Sequence, residues 1–128
     1  MPADLVRRFL TAMEARDLTQ AQSMLAEGFV MQFPGTTPMT TLTELLAWAA
    51  PRYKFVRKTY AGFDVVDGSS ANVVYCHGTL SGEWPDGTAF SDIRFIDRFE
   101  VSGCRITRQD VWNDIADARA KSEPDGVS

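Results

Sequence analysis

Histidine, cysteine and basic residues are all scarce in this sequence of 128 residues. One histidine and two cysteines are too few for a disulfide-rich scaffold or a structural zinc site. Thirteen basic against seventeen acidic residues give a net charge of −4, whereas a nucleic-acid binder needs a basic face. No segment reaches the roughly 18 apolar residues of a membrane span, and the first residues lack the apolar run of a signal peptide. We therefore expect neither nucleic-acid nor membrane binding.

The sequence does contain enough apolar residues for one folded domain. They make up 45% of the chain, against 23% charged residues, and both values are close to globular averages. We expect a single domain over residues 1–118, a frayed helical end and disordered tail over residues 119–128, and a cytoplasmic location. Cys76 and Cys104 are expected to be reduced, buried thiols, with one disulfide between them as the alternative.

Apolar periodicity predicts three helices in the first part of the chain. A second helix is predicted over residues 18–26, with Gly28 ending it. Thr41 and Glu44 have capping-box spacing and predict a third helix over residues 42–50. The first helix is indicated by apolar residues at three- and four-residue spacing: Leu5, Val6, Phe9, Leu10 and Met13.

Alternation and turn signals predict strands in the rest of the chain. A short strand is predicted around residues 29–33, and four longer strands over residues 54–66, 71–84, 89–101 and 104–114. Turns are predicted at Pro34-Gly35, Asp67-Gly68, Pro85-Asp86-Gly87 and Ser102-Gly103. Helices followed by an antiparallel meander favour an α+β fold with helices on one face of a curved sheet.

The two last turns predict which side chains share a face, because strand residues alternate between faces. A three-residue loop at 85–87 places Asp97 opposite Tyr75, and a two-residue loop at 102–103 places Asp97 opposite Arg108. One face of the sheet would then carry seven aromatic and ionisable residues: Tyr75, His77, Phe95, Asp97, Arg108, Asp110 and Trp112.

Aromatic walls with a few ionisable groups are typical of a small-molecule pocket. In this interpretation Asp110 is a general base, His77 its acid–base partner, and the Asp97–Arg108 pair orients the substrate or stabilises an oxyanion. Three alternatives stay open: a plain cross-strand ion pair for Asp97 and Arg108, a partly buried structural histidine, and Trp112 as core.

The chain resembles the nuclear transport factor 2-like superfamily, in its SnoaL-like and ketosteroid-isomerase-like branch, over residues 3 to 116. The resemblance rests on the order and spacing of four segments: VRRFLTAMEARDLTQAQSMLAEG, FVMQFPG, TLTELLAWA and IDRFEVSGCRITRQDVWND. It implies a cone, in which a strongly curved antiparallel sheet wraps over three N-terminal helices and a pocket lies at the wide end. It also implies a homodimer formed through the outer sheet face.

The resemblance assigns roles only in part. Phe9 and Phe33 stand where steroid isomerases have a tyrosine and an aspartate, so steroid isomerisation is not expected. Asp97, in its Ile-Asp context, matches the neutral acid of those enzymes, and Trp112 matches a pocket tryptophan. In SnoaL-like polyketide cyclases a histidine takes the position of Asp97, and an aspartate base lies at or within one residue of Asp110.

The sequence therefore predicts a SnoaL-like pocket protein that isomerises, cyclises or dehydrates a small hydrophobic molecule by acid–base chemistry. No cofactor and no metal are expected. The alternative is a non-catalytic ligand-binding or dimerisation module on the same fold. A basic run around residues 52–58 is interpreted as a solvated rim that could attract an anionic ligand. Beside the four catalytic candidates, the predicted ligand-binding residues are Trp112, Tyr75, Phe95, Phe33, Phe9, Trp48 and Tyr53.

Overall fold

A computed structural model describes residues 1–122 of the chain; residues 123–128 lie outside the described part. Along the chain its elements are α1 (Pro2–Glu14), α2 (Leu18–Ser23), β1 (Leu25–Gln32), α3 (Leu42–Ala49), β2 (Phe55–Val66), β3 (Asn72–Glu83), β4 (Ala89–Ser102), β5 (Arg105–Asn113) and α4 (Ile115–Ser122). The strands form one sheet in the order β1-β5-β4-β3-β2. The predicted α+β class is confirmed.

Helices α1 and α3 form where the apolar spacing predicts them. A proline opens α1, where a missing N–H costs nothing, and the five predicted apolar residues of this helix are all buried. The Thr41 hydroxyl accepts a hydrogen bond from the Glu44 backbone N–H at 3.1 Å, and the Glu44 carboxylate accepts one from the Thr41 N–H at 3.1 Å. This reciprocal capping box fixes where α3 begins.

The boundary between the second helix and the first strand is wrong in the sequence prediction. Helix α2 ends at Ser23 rather than at residue 26, and β1 already begins at Leu25. Gly28 does not end the helix; it lies inside β1 with φ +78°, where the pairing with β5 shifts register. The apolar residues Met24 and Leu25 are buried in either structure, so burial alone did not distinguish helix from strand.

The sheet is mixed rather than fully antiparallel. The pairs β2–β3, β3–β4 and β4–β5 are antiparallel, as the predicted meander requires. Strand β1 instead pairs with β5 in parallel, with Val30 beside Arg108 and Gln32 beside Asp110. The parallel pairing needs a long crossover connection, which α3 and the three strands between the two partners provide.

The predicted register between β3 and β4 holds at the turn and fails one bulge later. The Trp84 N–H donates to the Thr88 carbonyl at 2.9 Å, as a three-residue loop requires. Between Leu80 and Gly82 the register then shifts by one residue, and Asp92 adopts φ +59° at this bulge. A one-residue shift exchanges the two faces of a strand. Asp97 therefore lies opposite Cys76 and not opposite Tyr75.

The register between β4 and β5 is also wrong in the prediction, for two reasons. Ser102 pairs with Arg105, so the turn consists of Gly103 and Cys104 rather than Ser102 and Gly103. A second shift follows, next to Thr107 on β5. Asp97 consequently pairs with Val111, three residues from the predicted partner Arg108. Because strand side chains alternate between faces, a register displaced by three residues places Asp97 and Arg108 on opposite faces of the sheet.

The two faces of the sheet differ sharply in burial. We call the face packed against α1 and α3 the inner face and the other the outer face. Inner-face residues of β3, β4 and β5 are buried, and they are Val74, Cys76, Leu80, Ile93, Phe95, Asp97, Phe99, Val101, Ile106, Gln109 and Val111. Of the two free cysteines, Cys76 is buried as predicted, whereas Cys104 is exposed on the β4–β5 turn and corrects the prediction of a buried thiol.

The remaining predictions concern membrane spans, the domain limit and the C-terminal tail. None of the helices within residues 1–122 combines the length and hydropathy that a membrane crossing requires. The predicted domain limit at residue 118 falls inside α4 and stays a prediction. The predicted disordered tail lies outside the described residues from position 123 onward.

Candidate functional site

A cavity of about 90 Å³ lies between the inner face of the sheet and the helices α1 and α3. Its apolar lining comes from every layer of the fold: Phe9, Leu10, Met13, Phe33, Leu45, Trp48, Val56, Leu80, Phe95, Val111 and Ile115. Its polar lining consists of Glu14, Arg16, Tyr53, Lys58, Asp97, Gln109 and Asn113. The cavity is therefore an apolar space with a small number of converging polar groups, as ligand sites generally are.

Asp97 is the most unusual residue of this cavity. Asp97 is 0% exposed, because β4 is the central strand of the sheet and its inner face is covered. Neither carboxyl oxygen has a hydrogen-bond partner among the described residues. Buried polar groups are nearly always hydrogen-bonded, and an exception in a cavity indicates a group kept for a ligand or for chemistry.

Lys58 supplies the nearest charge to this carboxyl group. Its Nζ lies 3.8 Å from Asp97 Oδ2, and its side chain is only 18% exposed. The same ammonium lies 5.2 Å from the centre of the Phe95 ring, within the range of a cation–π contact. Lys58 reaches the cavity because it lies on the inner face of β2 together with Val56 and Tyr60, whereas Arg57 and Thr59 between them are exposed.

Burial raises the pKa of Asp97 above its ordinary value of 3.8, because the charged form loses its hydration. The Lys58 ammonium and the amide of Gln109 oppose this rise by stabilising the carboxylate. Gln109 is itself 3% exposed, and its Oε1 has no partner among the described residues. Burial dominates, so Asp97 is a carboxyl group whose proton affinity is raised, next to one cation.

Five of the seven predicted ligand-binding residues form aromatic walls of the cavity. Phe9, Phe33, Trp48, Tyr53 and Phe95 all line the cavity. The rings of Phe33 and Trp48 lie 5.2 Å apart and are half-buried, on the loop after β1 and on α3. The role of these residues in binding stays a prediction, but the structure does bring them together.

Three of the four predicted catalytic residues lie outside the cavity, which corrects the predicted constellation. Asp110 and Arg108 are on the outer face, joined by hydrogen bonds of 2.9 and 3.0 Å. His77 is exposed on the same face, next to Gly62 of β2. Only Asp97 faces the cavity, and its ionic partner is Lys58 instead of Arg108. The physical reason is the pair of register shifts described above.

The same shifts move two predicted wall residues to the outer face. Trp112 is 53% exposed and pairs across the strands with Ile96, so it is neither pocket wall nor core. Tyr75 lies opposite Arg98, also on the outer face. Neither residue lines the cavity.

Sequence reasoning missed Lys58, Gln109 and Arg16. Lys58 was interpreted as part of a solvated rim, although its two-residue spacing from the apolar Val56 and the aromatic Tyr60 was a signal for an inner position. No signal in the sequence identified Gln109, because its placement depends on the bulge at Thr107.

No group of three or more potential metal ligands occurs within residues 1–122.

Comparison with solved structures identifies the class of fold. An NTF2-like protein of unknown function from Burkholderia pseudomallei superimposes with a TM-score of 0.76 at 16% identity, over 92% of this chain and 94% of that chain. IdmH from Streptomyces antibioticus, a proposed polyketide cyclase, gives a TM-score of 0.69 at 18% identity, over 94% and 97%. TerC, co-crystallised with polyporic acid, gives 0.75 at 16% identity, over 92% and 95%. These identities establish the NTF2-like fold alone.

The family is established by the sequence itself. Residues 6–109 match the family model of the SnoaL-like domain, which is most of the chain. The protein therefore belongs to the SnoaL-like domain family, as the four sequence segments predict. A search among curated protein sequences finds no significant match.

Proposed function

We propose that this protein is a cofactor-free acid–base enzyme that isomerises, cyclises or dehydrates a small apolar molecule bearing a carbonyl group. The single observation that carries the proposal is Asp97, a fully buried carboxyl group without a hydrogen-bond partner among the described residues, facing an apolar cavity beside one ammonium. Asp97 replaces Asp110 and His77 as the group that moves the proton.

The proposed step is a proton transfer at the carbon next to the carbonyl. The Asp97 carboxylate takes the C–H proton, and the electron pair of that bond moves to the carbonyl oxygen to give an enolate. The Lys58 ammonium, 3.8 Å from the carboxyl group, stabilises the negative oxygen. Where the substrate also has a C=C bond conjugated with the enolate, return of the proton to the far carbon of this dienolate shifts the double bond and completes an isomerisation. A raised pKa suits Asp97 to this task, because a general base works best when its pKa lies near the working pH.

The size of the cavity limits the ligand. About 90 Å³ is well below the roughly 300–1,000 Å³ of sites for drug-sized molecules. A single ring fits most readily, and a larger ligand requires the half-buried rings of Phe33 and Trp48 to move apart. Two structural neighbours support a ring-shaped ligand: IdmH, a proposed polyketide cyclase, and TerC, crystallised with polyporic acid.

Hydrogen–deuterium exchange at the α-carbon tests this chemistry without knowledge of the natural substrate. Ring ketones such as 2-cyclohexen-1-one and 2-tetralone are incubated with the protein in D₂O, and loss of the α-proton signal is followed by NMR. We expect Asp97→Asn to slow exchange by about 10²–10⁴-fold, the usual contribution of a general base. The exposed carboxylate of Asp64 provides the matched control, Asp64→Asn, which keeps the wild-type rate.

Two results would contradict the proposal. If Asp110→Asn abolishes exchange and Asp97→Asn does not, the outer face carries the chemistry. If the ketones bind in the cavity but no ring ketone, epoxide or hydroxylated aromatic turns over, the protein is a binding module of the same fold. The second result supports the alternative reading of the sequence.

The outer face supports a homodimer, which we propose as the assembly of this protein. Trp112 and Ile96 are 53% and 39% exposed and lie side by side on adjacent strands. Burial of such a pair against a second copy removes apolar surface from water. Light scattering coupled to size exclusion should give a dimer mass for the wild type and a lower mass for Trp112→Ser; a monomeric wild type would contradict the proposal. A cytoplasmic location stays a prediction.

A further inference from the structure

Arg16 adopts a backbone conformation that favours glycine. At the end of α1 the Asp17 N–H donates to the Ala12 carbonyl at 2.8 Å and the Arg16 N–H to the Met13 carbonyl at 3.1 Å. This pattern is the Schellman motif, whose residue at the position of Arg16 is usually glycine. Arg16 has φ +58°, in the left-handed region, so an arginine here costs folding stability that a glycine would not. Observed strain of this kind directs attention to function.

The Arg16 side chain lies at the mouth of the cavity. It lines the cavity, and it is also exposed, which places it where the cavity meets solvent. Its Nη1 donates to the Met13 carbonyl at 2.6 Å, which holds the side chain against the end of α1. A guanidinium carries five N–H donors, and Arg16 makes no ion pair within residues 1–122. Most of its donors are therefore available to a ligand.

A second guanidinium group, that of Arg52, lies near the cavity without lining it. The Arg52 guanidinium stacks on the Trp48 ring at 4.3 Å and donates to the Trp48 carbonyl at 2.6 Å. Burial raises the pKa of Tyr53, and the positive charges of Arg16 and Arg52 oppose this rise. The cavity lining thus contains one guanidinium group, that of Arg16, and one phenol, that of Tyr53, while Arg52 adds positive charge from behind the Trp48 ring.

One acidic residue, Glu14, also lines the cavity mouth. Its Oε2 accepts a hydrogen bond from the backbone N–H of Lys58 at 3.1 Å. This bond directs the Glu14 carboxylate toward β2 and satisfies part of its charge. Glu14 therefore reduces the positive potential of the mouth without occupying the free donors of Arg16.

We infer that the ligand of this cavity carries a carboxylate, which Arg16 binds at the mouth while the apolar part of the ligand extends toward Asp97. This inference rests on the proposed function and names its substrate class: an apolar carboxylic acid with a carbonyl group farther along. The opposite orientation is disfavoured, because a ligand carboxylate beside Asp97 would bring two negative charges together in a buried space. A guanidinium binds a carboxylate through two parallel hydrogen bonds, which suits the free donors of Arg16.

A matched pair of probes separates the carboxylate from the rest of the ligand. 4-Fluorocinnamate and 4-fluorocinnamamide have the same ring and length, and their binding is measured by ¹⁹F NMR titration at low salt. We expect the wild type to bind the carboxylate about tenfold more tightly than the amide. In Arg16→Gly this preference should disappear through weaker carboxylate binding, with amide binding unchanged and the melting temperature equal or higher.

Two further variants complete the test. Arg16→Gln keeps a long side chain and should lose the same preference, so a folding defect in one variant cannot mimic the result. Arg105→Gln removes an exposed arginine of the β4–β5 turn and should leave both affinities unchanged.

Three outcomes would overturn the inference. Equal wild-type affinities for the two probes would overturn it and leave the proton-transfer proposal standing, since ketone exchange does not require a carboxylate. Loss of both probes in the Arg16 variants would show a structural role for Arg16. Failure of both probes to bind the wild type would contradict the carboxylate assignment, and α-proton exchange would then decide separately whether the cavity binds neutral ketones.

Discussion

Replacement of Lys58 by methionine should make folding stability depend strongly on pH. The substitution keeps a long apolar side chain but removes the ammonium that lies 3.8 Å from Asp97 Oδ2. Two unit charges at that distance, in a medium of effective dielectric constant about 20, attract each other by about 4 kcal/mol. Part of this attraction offsets the cost of burying the ammonium itself. We therefore expect the free energy of unfolding at pH 8 to fall by about 2–4 kcal/mol.

The sign of the pH dependence follows from the raised pKa of Asp97. Its folded-state pKa exceeds the ordinary value of 3.8, so the folded protein holds the proton more tightly than the unfolded chain. The contribution of Asp97 to stability is complete below pH 3.8 and is lost as pH rises through the folded-state pKa. Without Lys58 that pKa rises further, so the loss is larger and continues to higher pH. The difference between wild type and variant should therefore be small below pH 3.8 and large at pH 8.

Urea denaturation followed by circular dichroism at pH 3.5 and at pH 8 measures this difference. In the background of Asp97→Asn, Lys58→Met should have a similar effect at both pH values, within about 1 kcal/mol, because no carboxylate remains to be stabilised. Lys54→Met serves as the surface control, since Lys54 is exposed and pairs with Glu83 at 3.7 Å. A loss for Lys58→Met that is equal at pH 3.5 and pH 8 would refute the reasoning.

Three further predictions concern stability at other positions. Asp97→Asn should raise the free energy of unfolding by about 1–2 kcal/mol at pH 8 and less at pH 3.5, because it removes a buried charge whose lost hydration outweighs its stabilising partners. A large loss of stability in urea denaturation at pH 8 would contradict this. Gly82→Ala should lower the free energy of unfolding by more than about 2 kcal/mol, because the new Cβ would lie 2.0 Å from the Phe55 carbonyl oxygen. Gly62→Ala is the control: its Cβ meets only the His77 ring, at 3.3 Å, and the loss in the same assay should be smaller. Thr41→Ala should lower the free energy of unfolding by about 1 kcal/mol through loss of the capping box, whereas Thr43→Ala, inside α3, should not. Equal free energies of unfolding for the two variants would show that the cap contributes nothing.

Local signals were sufficient for most of the fold. The apolar spacing in α1, the Thr41 and Glu44 pair of α3 and the Pro85-Asp86-Gly87 turn are all formed by residues close in sequence, and all were predicted. The family and the α+β class follow from the order of these elements. The early start of β1 and its parallel pairing with β5 were not predicted, because both depend on residues far apart in the chain.

The candidate site was harder to predict, because face assignment depends on counting residues without error. A single bulge at Asp92 reversed the relation between β3 and β4, and the turn at Gly103 and Cys104 with the bulge at Thr107 reversed that between β4 and β5. An aspartate in the left-handed region has no reliable sequence signature. Five of the predicted aromatic residues nevertheless line the cavity, and four of them lie on helices, loops or the helix-to-strand connection rather than on the shifted strands. Their role in binding stays a prediction.

The central claim is that Asp97 is a buried carboxyl group with a raised proton affinity that is set against the Lys58 ammonium. Carboxyl ¹³C NMR of protein labelled at aspartate Cγ measures it directly, with Asp97→Asn identifying the signal. The account predicts a titration midpoint above 3.8 for Asp97 and a higher one in Lys58→Met. A midpoint at or below 3.8, or one that does not move when Lys58 is replaced, would contradict it.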